Sequence, residues 1–283
     1  MTNTATHIIF NGELYRSDDK LFECSNRAFS YGDGLFETML SYSTTVEHLD
    51  RHLDRLYRGM EVIGLIPHEK LSKSLLERDI QRLLNRDKLF GTIRIRLTAF
   101  RDQGGLYTPT SDSSSYIVST QALETPKYEL NQKGLVLDIF PNMQKQFSIL
   151  SPFKTCNSLL YVLAGKYAKN NGLNEAIITD CNGNILETTA SNIFIVKDKT
   201  IFTPPISDGC VDGIMRSVIC KLIEESEFTL NNIDHLSIDD LLKADEIFIT
   251  NAVRGIQWVV AFRDRRYFNK VSKILANKLK VES

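Results

Sequence analysis

Two stretches of the chain repeat apolar residues every three or four positions. Over residues 47–63, Leu49, Leu53, Leu56, Met60 and Ile63 fall on one face, and over 70–85 the same spacing links Leu71, Leu75, Leu76, Ile80 and Leu83. Each predicts an amphipathic helix. Residues 92–99 instead alternate Ile and Arg, the period of a half-buried strand. Shorter strand-like runs cover 7–11, ending in an Asn-Gly turn, and also 35–41 and 115–119. A polar stretch over 121–132 carries Pro126 and predicts a linker. Beyond it, strand-like runs at 135–140, 175–179, 192–196, 200–203 and 246–250 alternate with helical stretches after Lys154 and after Gly213. A short helix is expected near Ser237, with Asp240 completing a capping box. The pattern predicts an α+β chain with an N-terminal domain over 1–120, a linker over 121–132 and a C-terminal domain over 133–283. No internal repeat or low-complexity tract interrupts it.

Length and composition agree with that division. A chain of 283 residues is long for one core and natural for two. Its hydrophobic content of 42% and charged content of 24% are those of an ordinary soluble globule. A net charge of −1 argues against a non-specific nucleic-acid binder. The N-terminal residues lack a signal peptide's basic start and long apolar run. No apolar run approaches the ~20 residues of a membrane span, so a cytoplasmic location is expected. The five cysteines, Cys24, Cys156, Cys181, Cys210 and Cys220, form no C-x-x-C pair, and reduced thiols are expected. His48, His52 and His68 show no metal-ligand spacing, and no metal site is expected.

Chemistry enters through the order of four features. Lys154 lies between a strand-like run and a helix. Glu187 lies between two strand-like runs. Gly213 opens a helix that begins at Ile214 and Met215, and a strand ends at Thr250 and Asn251. An amine, a carboxylate, a helix N-terminus and a polar strand end suit a cofactor with an aldehyde, a pyridine nitrogen and a phosphate, namely pyridoxal 5′-phosphate (PLP). A phosphate favours a helix N-terminus, where free N–H groups and the macrodipole meet an anion.

Six motifs in this order, NRAFSYGDGLFET, HLDRL, FKTCNSL, ETTASNIF, DGIMR and ITNA, resemble those of the fold-type IV, or class IV, PLP enzymes. The resemblance runs from about Phe10 to Val260. It implies a smaller N-terminal and a larger C-terminal domain with the cofactor between them, and a homodimer. It also implies that Lys154 is the Schiff-base lysine and that Glu187 pairs with the pyridine nitrogen. Arg55, the N–H groups of Ile214 and Met215, and the strand end at Asn251 and Ala252 are then expected at the phosphate. Tyr31, Phe36 and Glu37 are expected to shape the pocket, and Asp33 to serve its Gly-Asp-Gly turn.

The same family narrows the substrate to a small amine bearing carboxylates. The D-amino acid aminotransferases carry an Arg-x-His trap where this chain reads FRDQGGLYTP, without histidine. The branched-chain aminotransferases carry a GTAA-like stretch where this chain reads TNAV. ITNA and the series Arg101, Gly104, Gly105, Tyr107 are closer to the aminodeoxychorismate lyases. The expected reaction converts 4-amino-4-deoxychorismate to 4-aminobenzoate and pyruvate by Schiff-base exchange at Lys154, proton abstraction and elimination. The alternative is amino transfer from branched-chain L-amino acids or D-amino acids. Arg94, Arg96, Arg101 and Arg254 are the candidate carboxylate partners, with Tyr31, Phe36 and Tyr107 beside them.

Overall fold

The computed structural model describes residues 5–232 and 235–282, which divide into two compact units. The first holds the residues up to Pro126 together with Phe153–Asn157, and the second holds the remainder. The change of unit at Pro126 lies inside the stretch expected as a linker. The return of Phe153–Asn157 to the first unit departs from a C-terminal domain running unbroken over 133–283, and it takes Lys154 with it.

The first unit contains, in chain order, β1 (His7–Phe10), β2 (Glu13–Arg16), α1 (Arg27–Tyr31), β3 (Gly34–Tyr42), β4 (Thr45–Val46), α2 (Leu49–Val62), α3 (Lys73–Arg86), β5 (Thr92–Arg101) and β6 (Ser114–Ala122). Asn11 and Gly12, both at positive φ, turn β1 into β2 as a tight hairpin requires. The six strands form an antiparallel sheet in the order β2-β1-β6-β5-β3-β4. Alternation along β5 sends Ile93, Ile95 and Leu97 into one core with Leu53 and Leu56 of α2 and Leu76 and Ile80 of α3. Fully buried aliphatic side chains of this kind contribute roughly 1.5–3 kcal/mol each. The opposite face of β5 carries Arg94 and Arg96.

The second unit contains β7 (Leu135–Ile139), α4 (Leu159–Asn170), β8 (Glu175–Thr179), β9 (Ile185–Thr188), β10 (Asn192–Lys197), β11 (Thr200–Thr203), α5 (Ile214–Glu224), β12 (Thr229–Asn232), α6 (Ile238–Lys243), β13 (Glu246–Asn251), β14 (Gly255–Phe262), β15 (Arg265–Arg266) and α7 (Lys270–Glu282). Its sheet runs β12-β11-β10-β13-β14-β7-β8-β9, with β15 beside β14. β7 pairs in parallel with both β14 and β8, and β11 with β12, while the remaining pairs are antiparallel. Ser237 and Asp240 form the expected capping box at the start of α6. Several elements were absent from the apolar pattern. β9 is buried on both faces and β14 is almost continuously apolar, so neither alternates. α1 is a single short turn of helix, too brief to show a period. No helix among the described residues is long and apolar enough to cross a membrane.

Candidate active site

In the first unit, Phe153–Asn157 runs beside the start of β3. Phe36 N–H donates to Lys154 O at 2.8 Å, Cys156 N–H donates to Gly34 O at 2.9 Å, and Thr155 bridges to Leu35. These strand-type bonds fix the backbone of Lys154. Its Nζ lies 4.9 Å from the centroid of the Phe36 ring, and Arg96 Cζ lies 3.7 Å from the same centroid. Both cations therefore use one aromatic ring. Arg96 is half-buried, and that burial pulls its pKa below the usual arginine value. Among the described residues no carboxylate pairs with it. Arg94, two residues along the same face, reaches Gln121 Oε1 in a long 3.4 Å hydrogen bond.

Arg101 is occupied differently from Arg96. Its Nε donates to Asp33 Oδ2 at 3.0 Å and its Nη1 to Asp112 Oδ1 at 2.5 Å and Gly64 O at 3.0 Å. Its Nη2 donates to Ile63 O at 2.6 Å. Arg101 is thus a buried tie between loops, and the structure removes it from the candidate carboxylate partners. Asp33 does more than serve its turn, because it also accepts from Arg27 Nε at 2.9 Å. Arg27 Nη1 in turn donates to the carbonyls of Gly104, Gly105 and Leu106. That grip fixes the loop carrying Tyr107, whose ring lies 5.7 Å from that of Tyr31.

Arg55 and Glu37 form a third cluster in this unit. Arg55 Nε donates to Glu37 Oε1 at 2.8 Å and Arg55 Nη2 to Glu37 Oε2 at 2.5 Å. His52 Nδ1 lies 2.6 Å from the same Oε2. Burial raises the pKa of Glu37, but the charge of Arg55 and the bonds from His52 and Arg55 overcome this and hold it at about 2. Glu37 is therefore the residue that orients Arg55. The sequence reading of Glu37 as a pocket-shaping side chain missed this, because His52 and Arg55 lie one α2 turn apart and meet Glu37 only across the fold.

In the second unit Glu187 ends up almost wholly buried on β9. Its Oε1 accepts from Lys145 Nζ at 2.7 Å and from Tyr161 OH at 2.8 Å, and its Oε2 accepts from Val211 N–H at 2.9 Å. Burial and then the neighbouring Glu187 charge push the Tyr161 phenol far above its usual range, so Tyr161 stays a donor. Burial, then Glu187, also pushes the Cys210 thiol up to about 12. A carboxylate offers about four lone-pair sites, and three are filled here. The remaining site on Oε2 suits one further N–H donor, as a protonated pyridine nitrogen would be.

A second part of this unit suits an anion. Helix α5 starts at Ile214 with Gly213 as its N-cap, has no side-chain cap and has no acidic residue in its first turn. Its leading N–H groups are left for a ligand. A Cβ on Gly213 would run into Asn192 Oδ1, and Asn192 Nδ2 donates to Val211 O at 2.9 Å, so the turn into the helix depends on that glycine. Thr250 Oγ1, at the end of β13, is buried without a hydrogen-bond partner. Next to it, Asn251 Oδ1 accepts from the N–H groups of Val253 at 3.1 Å and Arg254 at 2.9 Å, which shapes the tight turn into β14. Tyr128 OH reaches Ala252 O in the same turn, and the Arg254 side chain is exposed. This donor set fits a pyridoxal phosphate: a buried carboxylate acceptor for the ring and an uncapped helix with an orphaned hydroxyl for the phosphate.

The structure thus places Lys154, Tyr31, Phe36, Arg55, Arg94, Arg96 and Tyr107 in the first unit, and Glu187, Ile214, Met215, Asn251, Ala252 and Arg254 in the second. Lys145 and Tyr161 were missed. Tyr161 sits seven residues after Lys154 on the buried side of α4. Lys145 sits in an irregular stretch with no periodicity to mark it.

Comparison with known proteins agrees with this chemistry. The profile of the amino-transferase class IV family matches residues 34–262. A Methanocaldococcus jannaschii protein provisionally named a branched-chain-amino-acid aminotransferase is 30% identical over 275 residues, covering 96% of this chain and 93% of its own. An aminodeoxychorismate lyase from Vibrio harveyi is 25% identical over 233 residues, covering 82% and 83%. Among solved structures, the branched-chain amino acid aminotransferase from Escherichia coli superposes with a TM-score of 0.86 at 24% identity, covering 98% of this chain and 94% of the other. The chain belongs to the class IV aminotransferase family, has its fold-type IV architecture and is a PLP-dependent enzyme.

Proposed function

We propose that this class IV enzyme is a lyase that converts 4-amino-4-deoxychorismate to 4-aminobenzoate and pyruvate. The observation that carries the proposal is Arg96, a half-buried cation with no carboxylate partner among the described residues, on the same Phe36 ring as Lys154. A desolvated guanidinium without a counter-ion favours an incoming carboxylate, which its planar fork binds in two parallel hydrogen bonds. Aminodeoxychorismate brings two carboxylates, and the loops of this chain lack the traps of the D-amino acid and branched-chain enzymes.

Bound PLP supplies an aldehyde carbon for the substrate amine and a ring that accepts the electron pair left when the neighbouring C–H bond breaks. Glu187 accepts from the protonated ring nitrogen, with Lys145, Tyr161 and Val211 N–H orienting its carboxylate. In the second unit the N–H groups of Ile214 and Met215 and the turn at Asn251 and Ala252 take the phosphate, and in the first Glu37 orients Arg55, which the family resemblance assigns to the phosphate. Lys154 first holds the cofactor. Once the substrate amine displaces it, Lys154 removes the proton from the amine-bearing ring carbon as general base. That proton's departure lets the ether oxygen on the adjacent carbon leave as enolpyruvate, which becomes pyruvate, while the six-membered ring becomes aromatic. Arg96 holds a substrate carboxylate throughout.

Amino transfer is the second reading, favoured by relatives named as branched-chain aminotransferases. It uses the same cofactor residues and differs in where Lys154 returns the proton. One experiment separates the two. Holoenzyme is mixed with aminodeoxychorismate and no keto acid, while pyruvate and the yellow cofactor band are followed. The lyase gives many turnovers of pyruvate with the band retained. Bleaching by an L- or D-amino acid, reversed by 2-oxoglutarate and with no pyruvate from aminodeoxychorismate, overturns it in favour of amino transfer.

A further inference from the structure

A second glutamate in the second unit, half-buried, has no part in the chemistry above. Glu175 begins β8 in the sheet interior. Its Oε2 accepts from Thr188 Oγ1 at 2.5 Å and from Ala190 N–H at 3.1 Å, and its Oε1 accepts from Ser191 Oγ at 3.2 Å. Three hydrogen-bonding groups thus converge on one side chain, and Thr188 Oγ1 also lies 3.1 Å from Ser191 O. Burial outweighs the bonds from Thr188, Ala190 and Ser191 and the charge of Arg254, and holds its pKa above the usual glutamate value.

The consequence lies one step further on. Ser191 has a single hydroxyl proton and spends it on Glu175. Its oxygen is then an acceptor, and Asn251 Nδ2 donates to it at 3.0 Å. That fixes which way the Asn251 amide faces. Its Oδ1 must point the other way, where it collects the N–H groups of Val253 and Arg254. Hydrogen-bond polarity therefore passes in one direction from Glu175 through Ser191 to Asn251 and sets the turn between β13 and β14. The same carboxylate holds Ala190 and Ser191 in the turn that follows Glu187. One carboxyl group thus orders both the turn after the ring-nitrogen carboxylate and the strand end assigned to the phosphate.

We propose that Glu175 is a positioning residue for the cofactor phosphate, acting through Ser191 on the Asn251 turn. The inference rests on the phosphate assignment made under the proposed function. If the relay is broken, the Asn251 amide is released and its turn is no longer held in one form. The expected loss is about tenfold in PLP affinity, the scale of one charge-assisted hydrogen bond.

The test uses the full chain, stripped of cofactor and titrated with PLP, with the 31P resonance of the bound phosphate recorded for each variant. Glu175→Gln keeps the shape and removes the charge, and Ser191→Ala cuts the relay one residue later. Both should raise the PLP dissociation constant about tenfold and shift the 31P resonance. Asn251→Ala should do the same, and Glu175→Gln combined with Asn251→Ala should be no worse than Asn251→Ala alone. Thr188→Val removes a different partner of the same carboxylate. It should lower the unfolding temperature while leaving the dissociation constant within about twofold. Additive losses in the double variant, or an equal loss of affinity in Thr188→Val, mean general loosening and overturn the proposal. If Asn251→Ala weakens binding but neither Glu175→Gln nor Ser191→Ala does, the relay fails and the phosphate assignment stands. If Asn251→Ala itself changes neither readout, the phosphate assignment fails and the relay with it.

Discussion

Strand β5 carries two arginines five residues apart whose surroundings could hardly differ more. At its C-terminal end Arg101 is 5% exposed, and Nε, Nη1 and Nη2 are all engaged by Asp33, Asp112 and the carbonyls of Ile63 and Gly64. In the middle of the strand Arg96 is half-buried against Phe36, with no carboxylate among the described residues. Both occur in one run, TIRIRLTAFR, and nothing in that run tells them apart. A guanidinium answered by its own fold is architecture. One left desolvated and unanswered is a place where the fold has forgone stability, and such places accumulate at functional sites.

The sharpest way to break this contrast is Arg101→Met. It leaves Asp33 with Arg27 alone and removes the donor to the carbonyls of Ile63 and Gly64. Removing one member of a buried charged network costs on the order of 3–5 kcal/mol. Urea unfolding followed by circular dichroism measures it, and a loss below about 1 kcal/mol would show that Arg101 is not the tie described here.

The Glu37 cluster offers the next effect, through pH. Glu37 is held at about 2 in the fold against an ordinary value near 4.5. A carboxylate with a depressed folded pKa adds stability that is complete above its unfolded value. That stability is lost as pH falls from about 4.5 toward 2. The contribution at neutral pH is on the order of 3 kcal/mol. Urea midpoints measured from pH 7 down to pH 2.5 should fall across that window, and Glu37→Gln should flatten the acid side of the curve. An unchanged acid slope in the variant counts against Glu37 as the group responsible.

Arg96→Met should invert the result at Arg101. Removing a desolvated, unpaired cation leaves stability unchanged or raises it by up to about 1 kcal/mol. Meanwhile kcat/KM for a carboxylated amine substrate falls about 100-fold, the scale of a lost bidentate ion pair. Steady-state kinetics beside a melting curve give both numbers. A variant that melts early and keeps its kcat/KM would exchange the roles assigned to the two arginines.

What could be read without coordinates follows a physical line. α2, α3 and β5 were legible because each is half-buried and so carries a period. β9 and β14, buried on both faces, carry none. Lys154 and Glu187 stood out by their order among neighbouring motifs, which is local information. Glu37, Lys145, Tyr161 and Glu175 did not, because each acquires its partner across 15 to 42 residues of intervening chain. Arg101 was grouped with Arg94 and Arg96 because a guanidinium's role is set by what surrounds it, and Asp33 and Asp112 come from separate loops.

Arg94 provides the smallest effect and the finest discrimination. It shares the strand face of Arg96, yet its only described side-chain hydrogen bond is the 3.4 Å contact to Gln121. A substitution there touches no buried network, so Arg94→Ala should change stability by no more than about 0.5 kcal/mol. Its charge can still draw an anionic substrate from solution, an effect that salt screens because the Debye length falls from about 10 Å at 0.1 M to about 3 Å at 1 M. The variant should therefore lose about threefold in kcat/KM at low ionic strength and nothing measurable near 0.5 M salt. Arg96→Met should keep its roughly 100-fold deficit at both, because a desolvated contact is screened far less. The measurement is kcat/KM for the two variants across a salt series. A loss in Arg94→Ala that is large and independent of salt would mean that Arg94, rather than Arg96, grips the carboxylate.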